Sequence, residues 1–218
     1  MFSSRRLSIE MLIFAVVLDL YIRMKRIMVS LLCCLLAAWA FSKDNLSGTR
    51  QYGPGAVPVE NGKVTFRTSI PLPSGTDLDN CYERMLNWAK GRFALPYARN
   101  AYIVSENPEN HRFVFNVEQT IVFKSSAFEH DDARIIYNFA LNMSDGNCNV
   151  TVTDIKYRYE EERYGGGMSF TAEDWITDEE CYNRKRTKFL KKTGKFRIKT
   201  IDMKDLLFKR VEEELTGK

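Results

Sequence analysis

Apolar and polar positions alternate along much of the chain, and the period changes from stretch to stretch. From Lys63 to Ile70, Val64, Phe66 and Ile70 fall on one face, which predicts a strand closed by Pro71, Pro73 and Gly75. Leu78, Tyr82, Met85, Leu86, Ala89 and Phe93 then recur at three- and four-residue steps. That spacing predicts an amphipathic helix, capped by Thr76 or Asp77 and stopped before Pro96. Period two returns in four predicted strands: Ala101 to Ser105, Arg112 to Phe123, Arg134 to Met143 and Asn149 to Tyr159. The tetrapeptide Ser144-Asp145-Gly146-Asn147 joins the last two as a hairpin. Within the last strand Val150 and Val152 are out of phase with Ile155, Tyr157 and Tyr159. Either both faces are partly covered or a bulge near Asp154 shifts the register.

The order is therefore β-α-β-β-β-β, a five-stranded antiparallel sheet. One helix cannot cover such a sheet, so the C-terminal segment is expected on the same face, giving an α+β layer. Thr171 to Trp175 reads as a helical turn. Asp178 can cap a helix running to about Lys192 and ended by Gly194, with Lys191 and Lys192 at its carbonyl end. Asp202 or Lys204 would begin a last helix with Leu206, Leu207, Val211 and Leu215 as its stripe.

The N-terminus reads as an address. Met11 to Ile22 and Ile27 to Phe41 are apolar runs, both short of the ~20 residues a membrane span needs. The second follows Met24-Lys25-Arg26 and ends in Ala38-Trp39-Ala40, the three parts of a signal peptide. Residues 1–23 are then an upstream extension, 24–40 a cleavable signal with cleavage near Ala40, and 41–62 a linker carrying Gly53-Pro54-Gly55 and Pro58. Residues 63–160 form the α+β domain, and 161–218 a glycine-rich hinge with the C-terminal helices. An uncleaved anchor and a lipoprotein on Cys33 or Cys34 are the competing readings. The expected location is the periplasm or cell envelope.

Charge adds a distribution more than a total. The 218 residues hold 32 Lys and Arg against 28 Asp and Glu, and residues 178–218 hold 13 basic and 8 acidic of these. Arg184, Lys185, Arg186, Lys188, Lys191, Lys192, Lys195, Arg197 and Lys199 run on with no acid between them. Such a run can bind anionic lipid, acidic glycan or nucleic acid; the competing reading is a solvated helix face. The Glu129-His130-Asp131-Asp132 and Glu160-Glu161-Glu162 clusters read as solvated turns, and Gly165-Gly166-Gly167 as a hinge. Two His exclude a histidine-rich metal site, and no zinc spacing, nucleophile elbow or dinucleotide fingerprint occurs. Of the five Cys, Cys81, Cys148 and Cys181 would remain after export, as buried small hydrophobes or with a Cys81–Cys148 bridge.

The run Val57-Pro58-Val59-Glu60-Asn61-Gly62-Lys63-Val64-Thr65-Phe66, the Tyr82 to Trp88 helix, Val152-Thr153-Asp154-Ile155 and Lys199-Thr200-Ile201-Asp202 carry a resemblance. Over roughly residues 57–160 the chain resembles an uncharacterised family of exported Bacteroides-type proteins with a TATA-binding-protein-like domain. The resemblance implies a curved sheet with helices on one side, and carries over no catalytic residue and no cofactor. The expected function is a non-enzymatic binding or interaction module of the envelope. Its partner would be another protein or an anionic envelope component, lipid or glycan, and not nucleic acid. The alternatives are an assembly module pairing through its sheet and a carboxylate-based hydrolase.

Overall fold

The computed structural model describes Lys25 and residues 50–126, 130–144, 146–162 and 165–217. The chain divides into two units, Met1–Leu46 and Ser47–Lys218. Apart from Lys25, the signal peptide lies outside the described residues, as do its cleavage point, the upstream extension, Glu129 and Asp145. The second unit contains, in order, β1 (Val59–Glu60), β2 (Lys63–Val64), β3 (Phe66–Pro71), α1 (Leu78–Arg92), β4 (Asn100–Asn107), β5 (Arg112–Ser125), β6 (His130–Ser144), β7 (Asn147–Tyr159), β8 (Met168–Thr171), α2 (Asp178–Cys181) and α3 (Lys191–Thr216).

Side chains on a strand point alternately to either face, so burial along β6 locates the layers. Ala133, Ile135, Tyr137, Phe139, Leu141 and Met143 are buried, while the residues between them are partly exposed. The buried side is covered by α1 and α3. The main sheet is antiparallel in the order β3-β7-β6-β5-β4. In β7, Asp154 takes a positive φ of 52° and two residues stand opposite Tyr137 of β6. This bulge restores phase, so Val150, Val152, Ile155, Tyr157 and Tyr159 all reach the core.

The sheet has six strands, not five. β3 pairs with β7 from Asn147 to Val152, and β8 pairs with it from Lys156 to Tyr159, on the edge that β3 leaves bare. The segment 161–218 thus contributes a strand as well as helices. β8 is short, but it satisfies backbone groups of β7 and brings Phe170 onto Trp175 at 4.0 Å between ring centroids. Thr171 ends this strand, and the turn read from Thr171 begins instead at Ala172, whose carbonyl accepts from the N–H of Ile176 at 2.9 Å.

Two helical boundaries also differ from expectation. α1 follows its spacing: Asp77 accepts from the Asn80 N–H at 3.2 Å, and Cys81, Tyr82, Met85, Leu86 and Ala89 are buried. The helix from Asp178 is only four residues long, and one 26-residue helix runs through both Gly194 and Asp202. Gly194 is not a terminator. A Cβ there would lie 2.6 Å from the Cβ of Phe189, so the glycine serves close packing. The linker reading needs correction as well, because Tyr52 and Val57 are buried and Val59–Glu60 pairs with Lys63–Val64 across Asn61-Gly62. The folded unit therefore includes residues before 63.

Gly167 shows how tightly the β7–β8 connection is built. Its φ is +75°, and a Cβ would come within 2.6 Å of the Tyr159 carbonyl oxygen. Gly167→Ala is expected to destabilise by about 1–3 kcal/mol, the range for a strained backbone position. Gly91→Ala, on exposed α1 surface with nothing near its Cβ, should instead stabilise by about 0.5–1 kcal/mol. Thermal denaturation of the two variants reads both signs.

Candidate functional site

The basic run is divided by the fold. Between α2 and α3 the chain makes a closed excursion pinned at its base. Tyr182 and Phe189 form an antiparallel bridge with rings 4.8 Å apart, and the Leu190 N–H donates to the Cys181 carbonyl at 2.7 Å. Inside it the Asn183 side-chain oxygen accepts from the N–H groups of Thr187 at 2.9 Å and Lys188 at 3.3 Å. Asn183 thus folds the loop around its own amide. Arg184, Lys185, Arg186 and Lys188 stand exposed on this loop, and Lys191 and Lys192 are exposed in the first turn of α3.

These cations occupy an electrostatically unfavourable place. A helix N-terminus carries roughly half a positive charge, and acids there are stabilising while cations are not. α3 begins at Leu190 without a capping side chain and without an acid in its first turn. Lys191 and Lys192 therefore sit at the positive end, the reverse of the carbonyl-end placement expected from sequence. Arg184, Lys185, Arg186, Lys188 and Lys191 have no ion-pair partner among the described residues. Lys192 lies 5.7 Å from the centroid of the Trp175 ring.

The other three cations leave the patch because α3 now meets the domain. Lys195 is half-buried, with its Nζ 2.7 Å from Asp131 Oδ2 and 2.8 Å from the Tyr159 hydroxyl. Arg197 is fully buried. Lys199 is half-buried and lines a cavity beside β5. A nine-residue run in sequence is a six-residue patch in space.

One acidic cluster is built into the sheet, and the other, Glu160-Glu161-Glu162, lies in the turn after β7. Asp131 and Asp132 belong to β6, not to a loop; Asp131 holds Lys195, and Asp132 Oδ2 accepts from His130 Nε2–H at 2.9 Å. Among the described residues no group of three His, Cys, Asp or Glu could hold a metal ion. Glu161 pairs with Arg134, which also reaches Glu118 at 2.8 Å. The hydrogen bond from Arg134 holds the Glu161 carboxyl below the usual carboxylate range, against a smaller opposing effect of burial. Its contribution is complete above the unfolded value of about 4.3 and is lost as pH falls through the lower folded value. Glu161→Gln should therefore lower the thermal midpoint at neutral pH and flatten its decline into acid, which a pH series of melts will read.

The sheet with helices on one side and the divided basic segment are the setting for comparison with known proteins. Residues 66–158 match the family described as a domain of unknown function (DUF4468) with TBP-like fold. A solved DUF4468 family protein from Bacteroides ovatus is 30% identical, with a TM-score of 0.70 over 79% of this chain and 95% of its own. This chain belongs to the DUF4468 family. A TBP-like protein from Parabacteroides distasonis, 18% identical, shares the fold with a TM-score of 0.60 over 73% of this chain and 97% of its own. No curated protein matches the chain.

The DUF4468 match ends before the basic loop, so the loop's features rest on this chain's own residues. Sequence reading missed the polar chain on the uncovered face of the sheet. There the Asn116 amide donates to Asn138 at 2.8 Å, and Asn138 donates to Asp154 at 3.0 Å. The available signal was Asn at the outward positions of two facing strands. Cys81, Cys148 and Cys181 are buried free thiols. Burial pushes the Cys148 thiol up to about 12 and that of Cys181 upward, so these two stay protonated and unreactive.

Proposed function

We propose that this DUF4468 member is a non-enzymatic binding module of the bacterial cell envelope, exported by its N-terminal segment, that docks on anionic lipid headgroups. The observation that carries the reading is the pile-up of exposed cations on the positive end of a 26-residue helix with no acid in its first turn. A phosphate placed there gains from the helix N-terminus and from the lysines together. It also removes the mutual repulsion that the free protein carries. Cations near an anionic membrane contribute about 1 kcal/mol each. The fixed loop lets several act at once with little ordering cost.

Sedimentation with vesicles tests this reading. Vesicles containing phosphatidylglycerol should retain the protein, pure phosphatidylcholine vesicles should not, and retention should fall steeply with added salt. Equal retention on both vesicle types would remove the lipid reading.

A second reading rests on β4. This edge strand exposes Tyr102, Ile103 and Val104, with a register shift between Ile103 and Ser105 as its main irregularity. Such an edge can take a strand from another chain, making the protein an assembly module. A purely monomeric boundary in sedimentation at high protein concentration would oppose it.

A further inference from the structure

A second candidate site lies away from the basic loop, on the helix-covered side of the sheet. A cavity of about 350 Å³ opens between the C-terminal end of α1, β5 and the middle of α3. That volume is at the lower end of the roughly 300–1,000 Å³ typical of small-molecule sites. Phe93, Ile121, Met203 and Leu207 supply apolar lining. Val122 and Leu206 also line it and remain 40% and 49% exposed, so the apolar lining continues to the cavity mouth.

The polar groups are few and incompletely used. Gln119 and Tyr137 line the cavity on the otherwise apolar side of their strands. Tyr137 is 1% exposed, yet its hydroxyl has only a long contact, 3.5 Å, to the Gln119 side-chain oxygen. Arg92 and Lys199 bring two positive charges to the same space. Neither has an ion-pair partner among the described residues, and the buried Nε of Arg92 has no hydrogen-bond partner. The one carboxylate in the lining, Asp202, is engaged by the Tyr52 hydroxyl at 2.6 Å. A buried guanidinium nitrogen without an acceptor is costly, and an anion in the cavity would supply one.

We infer that this cavity binds a small amphipathic monocarboxylate, its apolar body between Phe93 and Leu207 and its carboxylate between Arg92 and Lys199. The inference is independent of lipid docking by the loop. The charge balance decides the headgroup: Arg92 and Lys199 against Asp202 leave a net charge of +1 in the lining, because the neutral Tyr52 hydroxyl does not cancel the carboxylate, and one ligand carboxylate matches it. The small volume selects a single short chain over a phospholipid.

Isothermal titration with octanoate and with octan-1-ol tests the site on the folded protein. Octanoate should bind, and octan-1-ol should bind at least about tenfold more weakly, the factor that 1.4 kcal/mol represents. Lys199→Gln should weaken octanoate by a similar factor and leave octan-1-ol unchanged. Leu206→Trp, at a half-exposed position where folding is not at risk, should fill the space and abolish binding of both. Absence of octanoate binding, equal affinity for the alcohol, or octanoate binding unchanged by Leu206→Trp would overturn the inference. So would a dimer in sedimentation that Leu206→Trp converts to monomer, since a second copy would then be the occupant.

Discussion

Arg197→Ala is expected to cost about 3–5 kcal/mol, the range for breaking a buried charged pair by removing one partner. Arg197 has no exposed surface. Its guanidinium donates to the carbonyls of Tyr52 at 2.9 Å, Ile176 at 2.8 Å and Gly53 at 2.5 Å. Asp178 Oδ1 stands 2.7 Å from Nη2, an ion pair by distance that lacks hydrogen-bond alignment. The rings of Tyr182 and Phe189 lie 5.4 and 5.8 Å from the guanidinium carbon. One side chain therefore joins the segment before β1, the turn after β8, α2 and the base of the basic loop to α3. Truncation takes a donor from three buried carbonyls at once, although Tyr52 keeps the Tyr182 hydroxyl at 3.3 Å and Gly53 keeps the Ala56 N–H at 3.1 Å. Arg197→Lys keeps the charge but cannot reach all three, so it should recover only part of the loss. For a unit of this size the alanine variant should melt roughly 6–20 °C lower, at about 2–4 °C per kcal/mol.

Phe196→Ala, one residue earlier, should cost about the same, 3–5 kcal/mol, by leaving a cavity. Phe196 is fully buried and is ringed by Phe123 at 4.5 Å, Tyr157 and Phe170 at 5.2 Å and Tyr159 at 5.4 Å between centroids. It is the contact through which α3 covers β5, β7 and β8. Phe196→Leu keeps part of the volume but none of the ring contacts, and should cost clearly less than the alanine variant. Denaturant unfolding of both variants separates lost packing from a general intolerance of change at this position. Near-ultraviolet circular dichroism should lose more intensity in the alanine variant.

These two neighbours also show what a local reading can and cannot supply. The sheet was legible because β6 and β7 alternate strongly, and because the phase change at Asp154 has one simple backbone solution. α1 was legible because its stripe and its cap agree. β8 was hidden: four residues give no measurable period, and their assignment depends on the bare half of β7. Gly194 misled because a glycine late in a helical pattern usually marks its end, whereas here it lies inside α3 and leaves room for Phe189, which folds back from just before the helix. The basic run was visible as composition only. Which cations stay in solvent depends on where α3 starts and on which turn meets the sheet, and Arg197 cannot be distinguished from Lys192 without that phase. The family resemblance, by contrast, was read from short structural motifs, and the family itself is shown by the match over residues 66–158 and by the Bacteroides ovatus protein.

The central claim is that the exposed loop cations, not the net charge of the chain, bind the membrane. It is tested most directly by neutralising Arg184, Lys185, Lys188 and Lys191 together to Gln, since all four are exposed and none has an ion-pair partner among the described residues. Binding to phosphatidylglycerol vesicles should fall by at least about a hundredfold, given ~1 kcal/mol per cation near the surface. The melting temperature should be unchanged or slightly raised. A variant that folds and binds these vesicles as tightly as the parent, with the same salt dependence, would contradict the account.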